Sequence, residues 1–148
     1  MNMELPKTET LTIRHGCAGV DWQEVAAILR SVGMGVHGPE QRRQAFEGSY
    51  AAVFVYHNDR LVGFGRAISD GACHAALYDC AVASDHQGQG IGRTIVSHLL
   101  ARVEGCSVIL FATPGKEGFY ERQGFSRMKT GMALFTNSEV MRERGFID

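Results

Sequence analysis

One stretch constrains this chain more than any other: Val82-Ala83-Ser84-Asp85-His86-Gln87-Gly88-Gln89-Gly90-Ile91-Gly92-Arg93-Thr94. An apolar run of Ala75 to Val82 enters a loop with glycine at three alternate positions. The loop then enters Ile95, Val96, Leu99, Leu100 and Val103, spaced as one apolar face of a helix that Gly105 stops. At a helix start the first backbone N–H groups have no intrahelical acceptor and carry the positive end of the helix dipole. Such a place favours an anion, above all a phosphate or diphosphate. Glycine lets a ligand approach the main chain and permits positive φ. Arg93 and the Thr94 hydroxyl add charge and hydrogen-bonding capacity. A turn that binds nothing is the plainer alternative, but it has no use for so many glycines ahead of a helix.

Three phosphate-binding patterns compete for this loop. A P-loop needs Gly-x-x-x-x-Gly-Lys-Ser/Thr, whereas this loop is shorter and has Arg93 where the lysine belongs. A dinucleotide fingerprint needs Gly-x-Gly-x-x-Gly in a βαβ unit with an acid downstream. Here the pattern is Gly-x-Gly-x-Gly after a hairpin, and that acid is missing. The third pattern, Arg/Gln-x-x-Gly-x-Gly/Ala, cradles the pyrophosphate of coenzyme A, and Gln87, Gly90 and Gly92 satisfy it.

Around the loop the chain reads as one mixed α/β domain over residues 1–148 in the order β-α-α-β-β-β-α-β-α-β-β. Thr10 to Arg14 is the first strand. Asp21 with Glu24 opens a helix carrying Val25, Ile28, Leu29 and Val32, and Pro39 opens a second that ends near Gly48. Ala51–Tyr56 and Leu61–Ile68 form a hairpin through His57-Asn58-Asp59-Arg60, and Asp70-Gly71 turns into the Ala75–Val82 strand. Val108 to Ala112 reads as a strand covered on both faces, and Lys116 to Gln123 as a short helix. Phe125–Lys129 and Met132–Thr136 read as a closing hairpin, and Asn137–Asp148 as a frayed helix.

The balance of 15 basic against 16 acidic residues, net charge −1, argues against a general nucleic-acid binder. No stretch is apolar enough for a membrane span, and Met1 to Thr10 lacks the apolar core of a signal peptide, so a cytoplasmic protein is expected. Cys17, Cys73, Cys80 and Cys106 show no zinc-ligand spacing, so no metal is expected and buried, reduced thiols are the simplest reading.

With the Gln87–Gly92 loop, the apolar Val108–Ala112 run, Phe119-Tyr120 and Gly124-Phe125 in order, the chain resembles the GNAT superfamily of acyl-CoA-dependent N-acyltransferases. The run from Arg66 to Gly92, with Arg66-Ala67, Asp79 and Gln87-Gly88-Gln89-Gly90, is similar to plant serotonin N-acetyltransferases and small bacterial relatives. One departure is the asparagine that many members carry after the fifth strand; Thr113-Pro114-Gly115 stands there instead. The resemblance implies an α/β (α+β) fold with a mixed, centrally splayed sheet of about six to seven strands and about four helices. It implies acetyl-CoA as cofactor, a small-molecule amine as acceptor, and cofactor contacts from Cys80, Ala81, Val82, Phe119 and the run Gln87, Gly88, Gln89, Gly90, Ile91, Gly92, Arg93, Thr94. Within it, the Cys80 N–H is the candidate oxyanion donor, the Val82 N–H a candidate pantetheine contact, and Tyr120 the candidate general acid at the sulfur.

The base is open. Simple alternation puts Tyr78, Cys80 and Val82 on one face of the strand and Asp79 on the other unless a bulge intervenes. Asp79 is then either paired, with Arg66 as partner, or works on the substrate; a water chain, His74 or His86 are further options. Trp22 reads as a packing residue, and the resemblance implies that the region of Met34, Val36, His37 and Phe46 shapes the acceptor pocket. Asp70 and Glu47 are acids that would attract a cationic amine, and Arg142-Glu143-Arg144 is a solvated face. Rival functions on the same scaffold are a non-catalytic acyl-CoA-binding module, a protein N-terminal or lysine acetyltransferase, and a nucleotide-binding protein with a degenerate P-loop. A homodimer through the closing hairpin and tail is a further possibility.

Overall fold

Strand β1 (Leu11–His15) is followed by helices α1 (Trp22–Ser31) and α2 (Pro39–Glu47), then by strands β2 (Ala51–His57), β3 (Arg60–Ser69) and β4 (His74–Val82). A single 3₁₀ turn at Ser84–His86 leads to α3 (Ile91–Arg102) and β5 (Ser107–Ile109). Helices α4 (Glu117–Arg122) and α5 (Ser138–Glu143) complete the α+β chain. This computed structural model describes residues 10–148, so the Met1–Thr10 segment read above falls almost wholly outside the described residues. Two compact units are formed, Met1–Ile109 and Leu110–Asp148.

The first unit is built on a five-stranded sheet in the order β1-β2-β3-β4-β5, antiparallel except for the parallel β4–β5 pair. Local chemistry explains its elements. The Asp21 carboxylate caps α1 by accepting from the N–H of Gln23 at 3.0 Å and of Glu24 at 3.4 Å. Asn58 and Asp59, at φ 47° and 68°, make the two-residue turn whose left-handed residues suit a twisted β2–β3 hairpin. On one face Phe54 and Phe64 pack with Phe46 of α2 and with Val25 and Leu29 of α1. Trp22 joins them as a packing residue, its ring 5.6 Å from Phe46. On the other face Gly63 and Gly65 admit α3, leaving a Cβ at Gly65 only 2.8 Å from Ile95 and from the Cys80 sulfur.

β5 is where the structure departs most from the sequence pattern. It pairs with β4 over His74–Ala76 alone, so β4 runs on from Leu77 to Val82 without a strand on that edge. This is the edge along which a splay is expected. The Val108–Ala112 strand is shorter than expected and not covered on both faces, since Ile109 is half exposed.

In the second unit Phe111, Phe135 and Phe146 stack edge to face. The closing hairpin expected at Phe125–Lys129 and Met132–Thr136 forms no strands, so the described residues hold five strands and five α-helices instead of six to seven and four. Gly131 does not adopt the positive φ that a tight hairpin uses. Without a third strand, a two-stranded hairpin has little independent stability. The tail does form a helix, capped by Asn137, whose side chain accepts from the Val140 N–H.

Candidate active site

The Val82–Thr94 stretch folds as its residue types require. The polypeptide leaves β4 at Val82, makes the 3₁₀ turn, and enters α3 through Gly88 and Gly90, at φ 77° and 84°. An L-residue pays a steric cost there that glycine does not. Beyond the adjoining residues, no protein atom lies within 4 Å of where a Cβ would stand at either position. Gly90 is the N-cap of α3 and gives it no side-chain cap. The first-turn amides of Ile91, Gly92 and Arg93 therefore have no intrahelical acceptor, and Gln87 to Gly90 are exposed beside them.

The side chains of this stretch mostly serve the loop itself. Gln87 donates from Nε2 to the Val82 carbonyl at 3.0 Å, bracing the end of β4. Ile91 is buried in the core. The Thr94 hydroxyl donates back to the Gly90 carbonyl at 3.1 Å, and Arg93 and Gln89 are exposed. Ala83 donates to the Val62 carbonyl of β3, so alternation turns the N–H and carbonyl of Val82 toward the opposite edge. Below the loop, Arg60 grips Asp85 through both terminal nitrogens, at 2.7 and 3.3 Å. That bond, then one from His86, holds the Asp85 carboxyl down at about 2. His86 in turn shares a 2.9 Å hydrogen bond with His57. Arg60, His57 and their part in holding the loop were missed in the sequence; nothing local announces contacts across so many residues.

The second cluster lies midway along β4. Arg66 pairs with Tyr78 and Phe64 with Ala81, so Gly65 stands opposite both Asp79 and Cys80. This is a β-bulge, and Asp79 takes it up at φ 54°. The bulge overturns the simple alternation read from sequence. Tyr78 shares the α1/α2 face with Phe64, Arg66 and the buried Ala81, while the Cys80 sulfur lies against Gly65 on the α3 face. Asp79 comes to the Tyr78 face. There it accepts from Arg66 Nε at 2.7 Å, the pairing foreseen, and from Arg42 Nη1 at 3.1 Å, a partner not foreseen. Arg42 also donates to the Met34 carbonyl at 2.7 Å and Arg66 to the Ser49 hydroxyl at 3.3 Å. The available signal was spacing: Arg42 stands four residues before Phe46, on the buried side of α2.

Other candidates resolve plainly. The cysteines are free but not all buried as expected: Cys73, in the β3–β4 turn, is exposed, and Cys17, Cys80 and Cys106 are partly buried. Burial, reinforced by the Asp79 charge, pushes the Cys80 thiol up to about 12, so Cys80 is no nucleophile near neutral pH. Phe46 is wholly buried and is core, while Val36 is almost fully exposed. Asp70 accepts from the amides of Ala72, Cys73 and His74, which hold its carboxyl at about 2, so it organises the β3–β4 turn. Glu47 pairs with Arg43 on the surface of α2. In the second unit, α4 carries Phe119 and Tyr120, half-buried, with the Tyr120 ring edge-on to Phe119 at 4.9 Å and to Phe125 at 5.9 Å.

The helix is thus uncapped and fronted by glycine, at the end of a strand whose far edge is half open. The family model of the acetyltransferase (GNAT) domain matches residues 49–127, more than half of the chain and across both units. Serotonin N-acetyltransferase 2, chloroplastic, of Oryza sativa is 31% identical over 143 residues, covering 88% of this chain and 70% of that protein. An uncharacterized N-acetyltransferase of Prochlorococcus marinus is 32% identical over 114 residues, and the chain spans 63% of its length. The structure is similar to a GNAT-family acetyltransferase of Streptococcus pneumoniae, with TM-score 0.74, 25% identity and coverage of 86% of this chain and 98% of that one. The chain belongs to the GNAT acetyltransferase family. Among the described residues no helix is long and apolar enough to cross a membrane.

Proposed function

We propose that this chain is an acetyl-CoA-dependent N-acetyltransferase that acetylates the primary amine of a small molecule by direct attack in a ternary complex. The observation that carries this reading is the Gly88–Arg93 main chain: left-handed glycines, no side-chain cap, and no protein atom beyond the adjoining residues where Cβ atoms would stand. That cradle suits a diphosphate, whose charge answers the helix dipole and whose oxygens accept from the amides. The likeness to the Oryza serotonin N-acetyltransferase supports a small amine as acceptor.

Acetyl-CoA, when bound, supplies the thioester: the C–N bond to the amine forms as the C–S bond breaks, and the amine's proton is matched by one delivered to sulfur. The chain's own residues supply binding and proton handling. The amides of Gly88 to Arg93 hold the diphosphate, with the Arg93 guanidinium adding charge. The Val82 N–H, turned from β3, meets the pantetheine arm, and the Cys80 N–H faces the developing oxyanion. By its position in the family pattern, Tyr120 is the candidate donor of the proton that the sulfur receives. Asp79, with each oxygen already accepting from a guanidinium, positions the bulge and is a poor base. The amine therefore loses its proton to water, directly or through Tyr78 at the same face, which passes its own phenolic proton on to water as it takes the amine's.

Screening amines for acetyl-CoA-dependent thiol release tests this function. Tyr120→Phe is expected to lower kcat by at least about tenfold while CoA still binds. Unchanged turnover would remove Tyr120 from the chemistry. CoA binding without transfer to any amine would favour a non-catalytic binding module.

A further inference from the structure

The surplus of positive charge around Asp79 has a consequence for the acceptor. Arg42 is 6% exposed, and its Nε hydrogen has no acceptor. The Arg66 and Asp79 side chains are only 14% and 11% exposed. Among the described residues, Asp79 is the one carboxylate in ion-pair contact with either arginine. Their other hydrogen-bond acceptors, the Met34 carbonyl and the Ser49 hydroxyl, are neutral. Two positive charges thus meet one negative charge in a place largely withdrawn from water, where an unanswered charge is costly.

Position makes this more than a structural knot. The cluster stands at the bulge, one residue before Cys80, along the stretch of β4 that β5 leaves unpaired. The Arg66 guanidinium lies over the Tyr78 ring at 5.3 Å, giving an aromatic wall beside the charge. Arg66 and Asp79 alone would be neutral. Arg42, which tips the balance, lies outside the stretch 49–127 that matches the family model.

Resting on the acetyltransferase reading above, we propose that this surplus charge selects the acceptor: the amine carries an acid group, carboxylate or phosphate, recognised by Arg42 and Arg66. The acid answers the unmatched charge and takes up guanidinium donors through charge-assisted hydrogen bonds. An amine whose only charge is its ammonium is repelled. In an acid-bearing acceptor the nearby guanidiniums favour the uncharged, nucleophilic form of the amine.

The test compares kcat/KM of the full chain for acceptors that differ by one acid group, at one pH and ionic strength. Tyramine against tyrosine reads a carboxylate, and ethanolamine against phosphoethanolamine reads a phosphate. At least one acid-bearing member is expected to be preferred about tenfold or more. Arg66→Gln should shrink that ratio mainly through KM, and Arg66→Lys should restore part of it. Equal or reversed preference in the wild-type chain overturns the proposal and leaves the acetyltransferase reading standing. An Arg66→Gln variant that slows both members of a pair equally also overturns it, placing the charge with the fold or the reacting centre. Transfer to no amine at all removes both readings.

Discussion

The end of β4 and its middle are built in opposite ways. At the end, Gly88 and Gly90 strip side chains from the main chain, and the first-turn amides of α3 have no side-chain cap. In the middle, three side chains converge on one bulge, mostly buried, and both Asp79 oxygens are engaged. A site made of backbone recognises what every member of a class shares, a diphosphate in the proposed reading, and tolerates little variation because its geometry is the φ of a few residues. A site made of side chains carries net charge and is changed by one substitution. On the proposed reading, acceptor choice varies around Arg42 and Arg66 while the cofactor cup stays as it is.

If that contrast holds, the two regions fail differently. Asp79→Ala leaves two buried guanidiniums without their carboxylate and is expected to cost about 3–5 kcal/mol in urea unfolding. A loss below about 1 kcal/mol, the range of an exposed pair, would mean the knot is solvated and the contrast is wrong. Gly65→Ala places a methyl group 2.8 Å from the Cys80 sulfur and from Ile95. Overpacking of this kind costs about 1–3 kcal/mol, and adding Cys80→Ala should return part of it. Gly90→Ala should leave the fold intact but strain the cup by about 1–2 kcal/mol, read as roughly tenfold weaker CoA binding. The smallest effect concerns Asp70, whose carboxyl lies at about 2 instead of the ordinary 3.8. A depressed carboxyl stabilises the fold above the ordinary value and loses that contribution as pH falls through the folded one. Melting curves should thus show wild-type stability draining between about pH 4 and pH 2, with a shallower slope in Asp70→Asn.

The order of elements up to α3, the β2–β3 hairpin and the glycine cup were legible because each rests on local chemistry: a cap at Asp21, left-handed turn residues, glycines ahead of an amphipathic helix. The Arg66–Asp79 pair was readable from an acid stranded in an apolar strand. The bulge was named only as a condition. A left-handed aspartate in mid-strand follows from partners on β3 and α2, which no local pattern contains. Arg42 was hidden for the same reason. The closing hairpin failed because alternation at Phe125–Thr136 indicates a tendency to extend, while a strand needs a neighbour to pair with.

The central claim is that amides from Gly88 to Arg93 hold a diphosphate. Calorimetric titration of the full chain with CoA and with pantetheine, which lacks that group, reads it most directly. Two charge-assisted bonds lost should make pantetheine at least about 100-fold weaker than CoA. Equal affinities, or no heat from CoA at all, would contradict the claim.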